Sequence, residues 1–345
     1  MKTTEEQDEL RGTVRGLLSR LEGEAAWRPL AEQIGVAALA VPEEYGGVGG
    51  SAMDLLLVAE ELGRVLSPVP FLGSSVLATY ALLESGDEAA CAELLPGLAE
   101  GSALGALAWA EADGSWDPAA VRATAVRDAD GWAVTGVKEH VLSSGEVLLV
   151  AARTAAGVSL FRIRPEARSA RVTPVPAMDD SRPLYRVVLD SAPARLVGED
   201  GDGERVLGRV LDRGCAALAA EQVGAASYAL QATVEYAKTR VQFGRPIGSF
   251  QAVKHRLADL YVAVESARSL ALAAAVSPGD RILAAAAKSA CSEMFSLVAG
   301  EMIQLHGGIG LTWEHMAHRY FKRAHATAQL LGPARWHRSR IPLAA

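Results

Sequence analysis

Apolar residues recur at three- and four-residue intervals through roughly the first hundred positions, the period of helices with one buried face. The pattern predicts helices over "EEQDELRGTVRGLLSRL", "WRPLAEQIG", "SAMDLLLVAEELGRVL" and "AACAELLPGLAEG", with "PEEYGGVGG" and "SPVPFLG" as punctuation between them. From about residue 103 the alternation shortens. "VRATAVRDADGWAVTGVKEHVL" reads as a hairpin turning around Asp128 to Gly131, and "VLLVAAR", "GVSLFRI", "RVTPV" and "YRVVLD" follow as short strands. After "VGEDGDGE" the helical period returns and persists. It is clearest where Val253, Leu257, Leu260, Val264, Ala267 and Ala271 form one stripe, with Lys254, Asp259, Glu265 and Arg268 off it. The chain is therefore predicted to be α+β, in three parts. An N-terminal helical domain covers 1–102, a small antiparallel β-barrel or sandwich covers 103–200, and a C-terminal four-helix bundle covers 201–345.

One joint in the last part carries more than a turn needs. "TRVQFGRPIGSFQ", residues 239–251, places an arginine, a phenylalanine and a glutamine among Gly and Pro breakers. On local rules alone, Gly244 and Gly248 stop one helix and start the next, with Ser249 as N-cap. Gly307 and Gly308 in "LHGGIGLT" read in the same way as a C-cap ahead of a helix capped at Thr312.

Composition narrows the classes. The 345 residues are half apolar, only 6% aromatic and carry a net charge of −7 from mixed charges, with no basic stripe suited to nucleic acid. A mean hydropathy of +0.15 favours a buried subunit interface. Cys91, Cys215 and Cys291 are odd in number and lie in apolar helical context, as buried thiols in a reducing compartment do. The acidic N-terminus lacks an apolar leader, and no run of about 18 apolar residues is evident, so a cytoplasmic location without membrane partners is expected. His306, His315, His318 and His325 cluster in sequence, but no third ligand recurs at a metal spacing, and a solvated or interface face is expected for them.

Three stretches in order, "VPEEYGGVGG", "YAKTRVQFGRPIGSFQAVKHRLADLYVAVESAR" and "EMIQLHGGIGLTWEHMAHRYFKRA", with a β module between the first two, resemble the acyl-CoA dehydrogenase family along nearly the whole chain. The resemblance implies FAD, an acyl-CoA or other acyl thioester as substrate, an electron-transfer acceptor, and assembly with a like or related chain as a dimer or dimer of dimers. It also implies that Arg240, Phe243 and Gln251, with Gln304, Gly307 and Gly308, form a cofactor clamp across a subunit interface. Trp109, in "LAWAE", stands where the family has flavin contacts, although it and Trp132 also suit the core of the β module.

The sequence departs from the family at the catalytic base. Dehydrogenation needs a carboxylate to remove the α-proton while the β-hydrogen leaves as hydride. In most members that carboxylate follows the "FKRA"-like helix, and here its place falls on Gly332. In another branch it lies ahead of the Arg-Phe-Gly motif, and here that place falls on Gly214. Asp212 and Glu221 are the nearest acidic candidates, each also readable as structural. The stretch that supports flavin and substrate survives only as "AEADGSWD", and the residues beside the flavin ring become His140 and Leu142. Four readings follow: a homomeric acyl-CoA dehydrogenase with an unidentified base, a base-lacking subunit sharing its flavin site with a partner chain, a scaffold without flavin, and a flavin enzyme of the same fold performing another redox step.

Overall fold

The computed structural model describes residues 3–128, 131–164 and 168–342. Ten helices can be followed: α1 (Glu5–Leu18), α2 (Trp27–Pro29), α3 (Ala52–Arg64), α4 (Thr79–Ser85), α5 (Glu88–Glu100), α6 (Gly203–Thr239), α7 (Gln251–Val276), α8 (Arg281–His306), α9 (Ala317–Gln329) and α10 (Ala334–Ser339). The chain divides into two compact units, one of residues 12–55 and 68–214, the other of residues 1–11, 56–67 and 215–345.

The unit of 12–55 and 68–214 holds the β module: β1 (Gly105–Ala108), β2 (Thr124–Asp128), β3 (Gly131–Val141), β4 (Val147–Arg153), β5 (Val158–Ile163), β6 (Ala170–Val175) and β7 (Leu184–Val197). β4, β2, β3, β7 and β5 pair in a closed circuit, with β1 beside β4 and β6 beside β7. The predicted hairpin is β2–β3, with Thr124 opposite Thr135 and Asp128 opposite Gly131. Its turn residues 129 and 130 lie outside the described residues. The expectation of a purely antiparallel sheet is corrected, because β1 and β2 both run parallel to β4. The whole β2–β3 hairpin lies between β1 and β4 in sequence, and such a long crossover can bring the chain back in its original direction. Val134, Val150, Phe161, Ile163 and Val187 are fully buried at the centre, and Trp132 packs against them.

"SPVPFLG", expected as punctuation, opens a π-helical turn over Phe71–Ala78 that leads into α4. All eight residues of that turn are buried, so it has no polar face and no amphipathic period to read.

In the other unit, α7, α8 and α9 pack with the later part of α6. The predicted α7 stripe is buried from Leu260 onward, at Val264, Ala267 and Ala271, while Val253 and Leu257 are only half-buried. Asp280 caps α8, accepting from the amides of Ile282 and Leu283. By length and composition the stretch Arg281–Leu311 is long and apolar enough to cross a bilayer, but most of its apolar window is buried within the protein. Glycines bring α3 and α6 into backbone contact. A Cβ at Gly63 would overlap the carbonyl oxygen of Glu221, and one at Gly224 would overlap that of Glu60. Arg268 of α7 bridges the same crossing, donating to Glu60 and, at 2.8 Å, to Ser227 Oγ.

Candidate functional site

The joint between α6 and α7 is a miniature hairpin, β8 (Val241–Gln242) against β9 (Arg245–Pro246), followed by a 3-10 turn over Ile247–Ser249. Its stem is closed by the Arg240 amide donating to Tyr236 O (2.8 Å) and the Ile247 amide donating to Arg240 O (2.8 Å). Phe243 at the tip has φ 53° and is 91% exposed, an unusual backbone state for an aromatic residue left without cover. Arg245 lies 4.0 Å over the ring of Phe250, bracing the hairpin from below. Gln251 is the first residue of α7 and is exposed. The N-cap expected at Ser249 does not form: Phe250 takes that place, and the Ser249 hydroxyl is buried without a hydrogen-bond partner.

Gln304, Gly307 and Gly308 are exposed at the end of α8. Gly307 caps α8 through its amide to Gln304 O, at φ 64° and ψ −142°, a combination that only glycine adopts readily. A Cβ at either glycine would project into open space. Thr312 does not begin the next helix; its hydroxyl donates to Ile309 O (2.8 Å), and α9 starts at Ala317. The Arg240 and Gly307 segments, far apart in sequence, meet through Tyr236 and His306, whose rings stack at 4.3 Å. His306 is 4% exposed, which corrects the expectation of a solvated or interface face for this histidine. Burial lowers its pKa against the bond it makes to Met302 O. Among the described residues no three His, Cys, Asp or Glu side chains are placed to hold a metal.

Gly332, the place of the usual base, is buried at φ 102°. A Cβ there would lie 2.5 Å from Trp336 Cε3 and 3.1 Å from His337 Nε2. The turn is held from beneath by Lys288, a fully buried cation that donates to Gly332 O (3.1 Å), Thr327 O (3.1 Å) and Ser292 Oγ (2.9 Å). Gln222 Nε2 donates in turn to Ser292 Oγ (3.1 Å). Burial lowers the Lys288 pKa to about 8. His337 Nε2 donates to Leu331 O (2.8 Å), and burial lowers its pKa to about 3, so the ring is neutral.

The acidic candidates are placed as follows. Glu221 accepts from Arg323 Nη1 at 2.8 Å, and Arg323, 1% exposed, also donates to Leu66 O (3.3 Å). Glu221 is thus the counter-ion of a buried guanidinium. Asp212 lies in the other unit, 7% exposed, next to Arg213, which donates to Glu84 (3.0 Å) and covers Tyr80 at 4.2 Å. Gly214 is buried within α6.

Trp109 is buried. It is 3% exposed, its indole N–H donates to Trp116 O (3.2 Å), and its ring meets Trp116 edge-on at 5.1 Å. His140 is exposed at φ 57° and Leu142 is buried. Glu111 of "AEADGSWD" accepts from the fully buried Lys138 at 2.6 Å, fastening that segment to β3. An open cavity of about 310 Å³ lies there, lined by Glu111, Asp113, Arg122 and Thr135.

Sequence reasoning missed Tyr236, Lys288 and Trp336, and read His306 only as one of a histidine cluster. Lys288 alone carries a signal, as a cation within the apolar run "AAAAKSAC". The others take part only through contacts between distant segments.

Comparison with known proteins agrees with this architecture. The sequence pattern described as acyl-CoA dehydrogenase, N-terminal domain, matches residues 4–102, and that of the C-terminal domain matches residues 201–343. The chain is 42% identical to acyl-CoA dehydrogenase IpdE2 of Mycobacterium tuberculosis, over 96% of this chain and 94% of that protein. Among solved structures, the Tcur3481-Tcur3483 steroid ACAD is 34% identical, with a TM-score of 0.88 over 98% of this chain and 96% of that one. The ChsE4-ChsE5 complex from Mycobacterium tuberculosis is 30% identical, with a TM-score of 0.86 over 98% and 96%.

Proposed function

Because this chain belongs to the acyl-CoA dehydrogenase family of FAD-dependent oxidoreductases, we propose that it acts as the base-lacking subunit of a heteromeric acyl-CoA dehydrogenase. It shares its flavin site with a related partner chain, which supplies the carboxylate. The observation that carries this reading is the turn at Gly332. Where most family members hold the base, this chain has a buried glycine at positive φ, and the room a side chain would need is taken by Trp336 and His337. Glu221 is neutralised by Arg323. Two similar solved structures, each bearing two chain names, favour pairing, and the description of one as a steroid ACAD favours a bulky thioester as substrate.

The residues of the joint fit the adenosine diphosphate end of FAD. Arg240 offers several donors to a pyrophosphate. Phe243 presents an uncovered aromatic face, and Gly307 and Gly308 leave backbone and open space where a Cβ would intrude. Ser249 adds a buried hydroxyl in want of a partner, and Gln251 and Gln304 are exposed amides that donate and accept. FAD held by these residues would supply the acceptor for the β-hydrogen and its electron pair, with an external electron carrier to reoxidise it. A cytoplasmic location is part of the same proposal, in keeping with three buried cysteines that form no disulfide.

The test is the visible spectrum of the chain purified alone and co-expressed with a family member, before and after anaerobic addition of acyl-CoA thioesters. A yellow complex that bleaches only with the partner present is the expected result. A chain that alone binds flavin and bleaches with substrate would overturn the proposal and return attention to Asp212.

A further inference from the structure

The candidate clamp has two halves, the Arg240–Phe243 tip and the Gly307–Gly308 loop, and the rings between them belong to neither. Tyr236 sits on the last turn of α6, and its carbonyl receives the Arg240 amide at 2.8 Å, so whatever fixes Tyr236 fixes the entry to the hairpin. Its hydroxyl donates to the carbonyl of His306 (3.3 Å), the peptide group that leads into Gly307. The two rings stack at 4.3 Å and 25°. His315 stands 4.4 Å from His306.

Backbone partners orient each imidazole. His306 Nδ1 donates to Met302 O (2.7 Å), while His315 Nδ1 accepts the Ala317 amide (3.1 Å). A metal does not account for the cluster, since no three ligands are so placed among the described residues and one nitrogen of each ring is already engaged.

We propose that Tyr236, His306 and His315 form a positioning stack that holds the two halves of the clamp in one register, so that both meet a single dinucleotide. The inference rests on the cofactor reading above. A side chain that merely filled the core would matter to its own neighbourhood, whereas a positioning stack makes the two halves rise and fall together.

Hydrogen exchange on the full chain reads this directly. His306→Ala and Tyr236→Ala should each raise exchange about tenfold at both residues 240–244 and residues 307–311, the factor that corresponds to roughly 1.4 kcal/mol of local opening. The β4 strand serves as the control and should not change. His306→Phe, which keeps a stacking ring, should restore protection at both segments. Titration of FAD, followed by fluorescence polarisation with the chain alone and with its co-purified partner, should show weakening of the same order in the alanine variants and none in His306→Phe. Faster exchange confined to the mutated residue's own segment, or a Phe variant as open as the Ala variant, would overturn the stack even if FAD binds. Coupled exchange in a wild-type chain that takes up no FAD in either form would instead overturn the cofactor reading beneath it.

Discussion

At the scale of single residues, the chemistry of this chain turns on whether a carboxylate is free. Glu221 is held by Arg323, and breaking a buried ion pair leaves a charge without compensation, at a cost of about 3–5 kcal/mol. Arg323→Met should therefore lower the denaturation midpoint strongly in urea titrations, and Glu221→Gln should do so as well. A Glu221→Gln variant that lost turnover at unchanged stability would restore Glu221 as a base. Gly332→Glu should destabilise the chain by about 1–3 kcal/mol, because a side chain there meets both positive φ and the Trp336 ring. It should add no activity with acyl-CoA substrates. His337 carries a pH signature. Its pKa falls from 6.5 to about 3 on folding, so below pH 6.5 the unfolded chain binds a proton that the folded chain refuses. Stability should decline as pH falls from 6.5 toward 3, and His337→Gln, which keeps a donor for Leu331 O, should flatten that limb of a urea-midpoint profile.

At the scale of elements, Lys288 on α8 ties the end of α9 to the following turn. Its targets Thr327 O and Gly332 O lie near the C-terminus of α9, where a cation complements the helix dipole. Folding lowers its pKa from 10.5 to about 8, so across that window the unfolded chain holds the proton that the folded chain has released. Stability from this group should thus rise as pH increases from 8 to 10.5. Urea midpoints compared between wild type and Lys288→Met should lose that rise in the variant. The elements differed in how far they could be read. The α7 stripe was plain from Leu260 onward because one helical face meets the core. The Phe71–Ala78 turn was hidden because every residue is buried. β1 was hidden because four buried residues have no alternation to show.

At the scale of the whole molecule, the unit of 1–11, 56–67 and 215–345 leaves much apolar surface uncovered: Val241, Phe243, Tyr261, Val262, Leu311 and Trp313 are each more than half exposed. Patches of that kind mark interaction surfaces, as the mildly apolar composition anticipates. Light scattering after size-exclusion chromatography should find the wild-type chain associated with itself or with its partner. Leu311→Ser combined with Trp313→Ser should shift it toward monomer, whereas an unchanged mass would place the interface elsewhere. The sequence by itself determined the kinds of element, the order of helices, strands and helices, the family, and the motifs at 239–251 and 304–308, because these depend on periodicity and on residues contiguous in the chain. Only the tertiary structure decided that the Gly332 turn is closed by Trp336, that Glu221 pairs with Arg323, that Trp109 is buried, and that Tyr236 and His306 bring the Arg240 and Gly307 segments together. Each of those depends on which side chains and backbone groups pack against one another, and periodicity along the chain does not encode that.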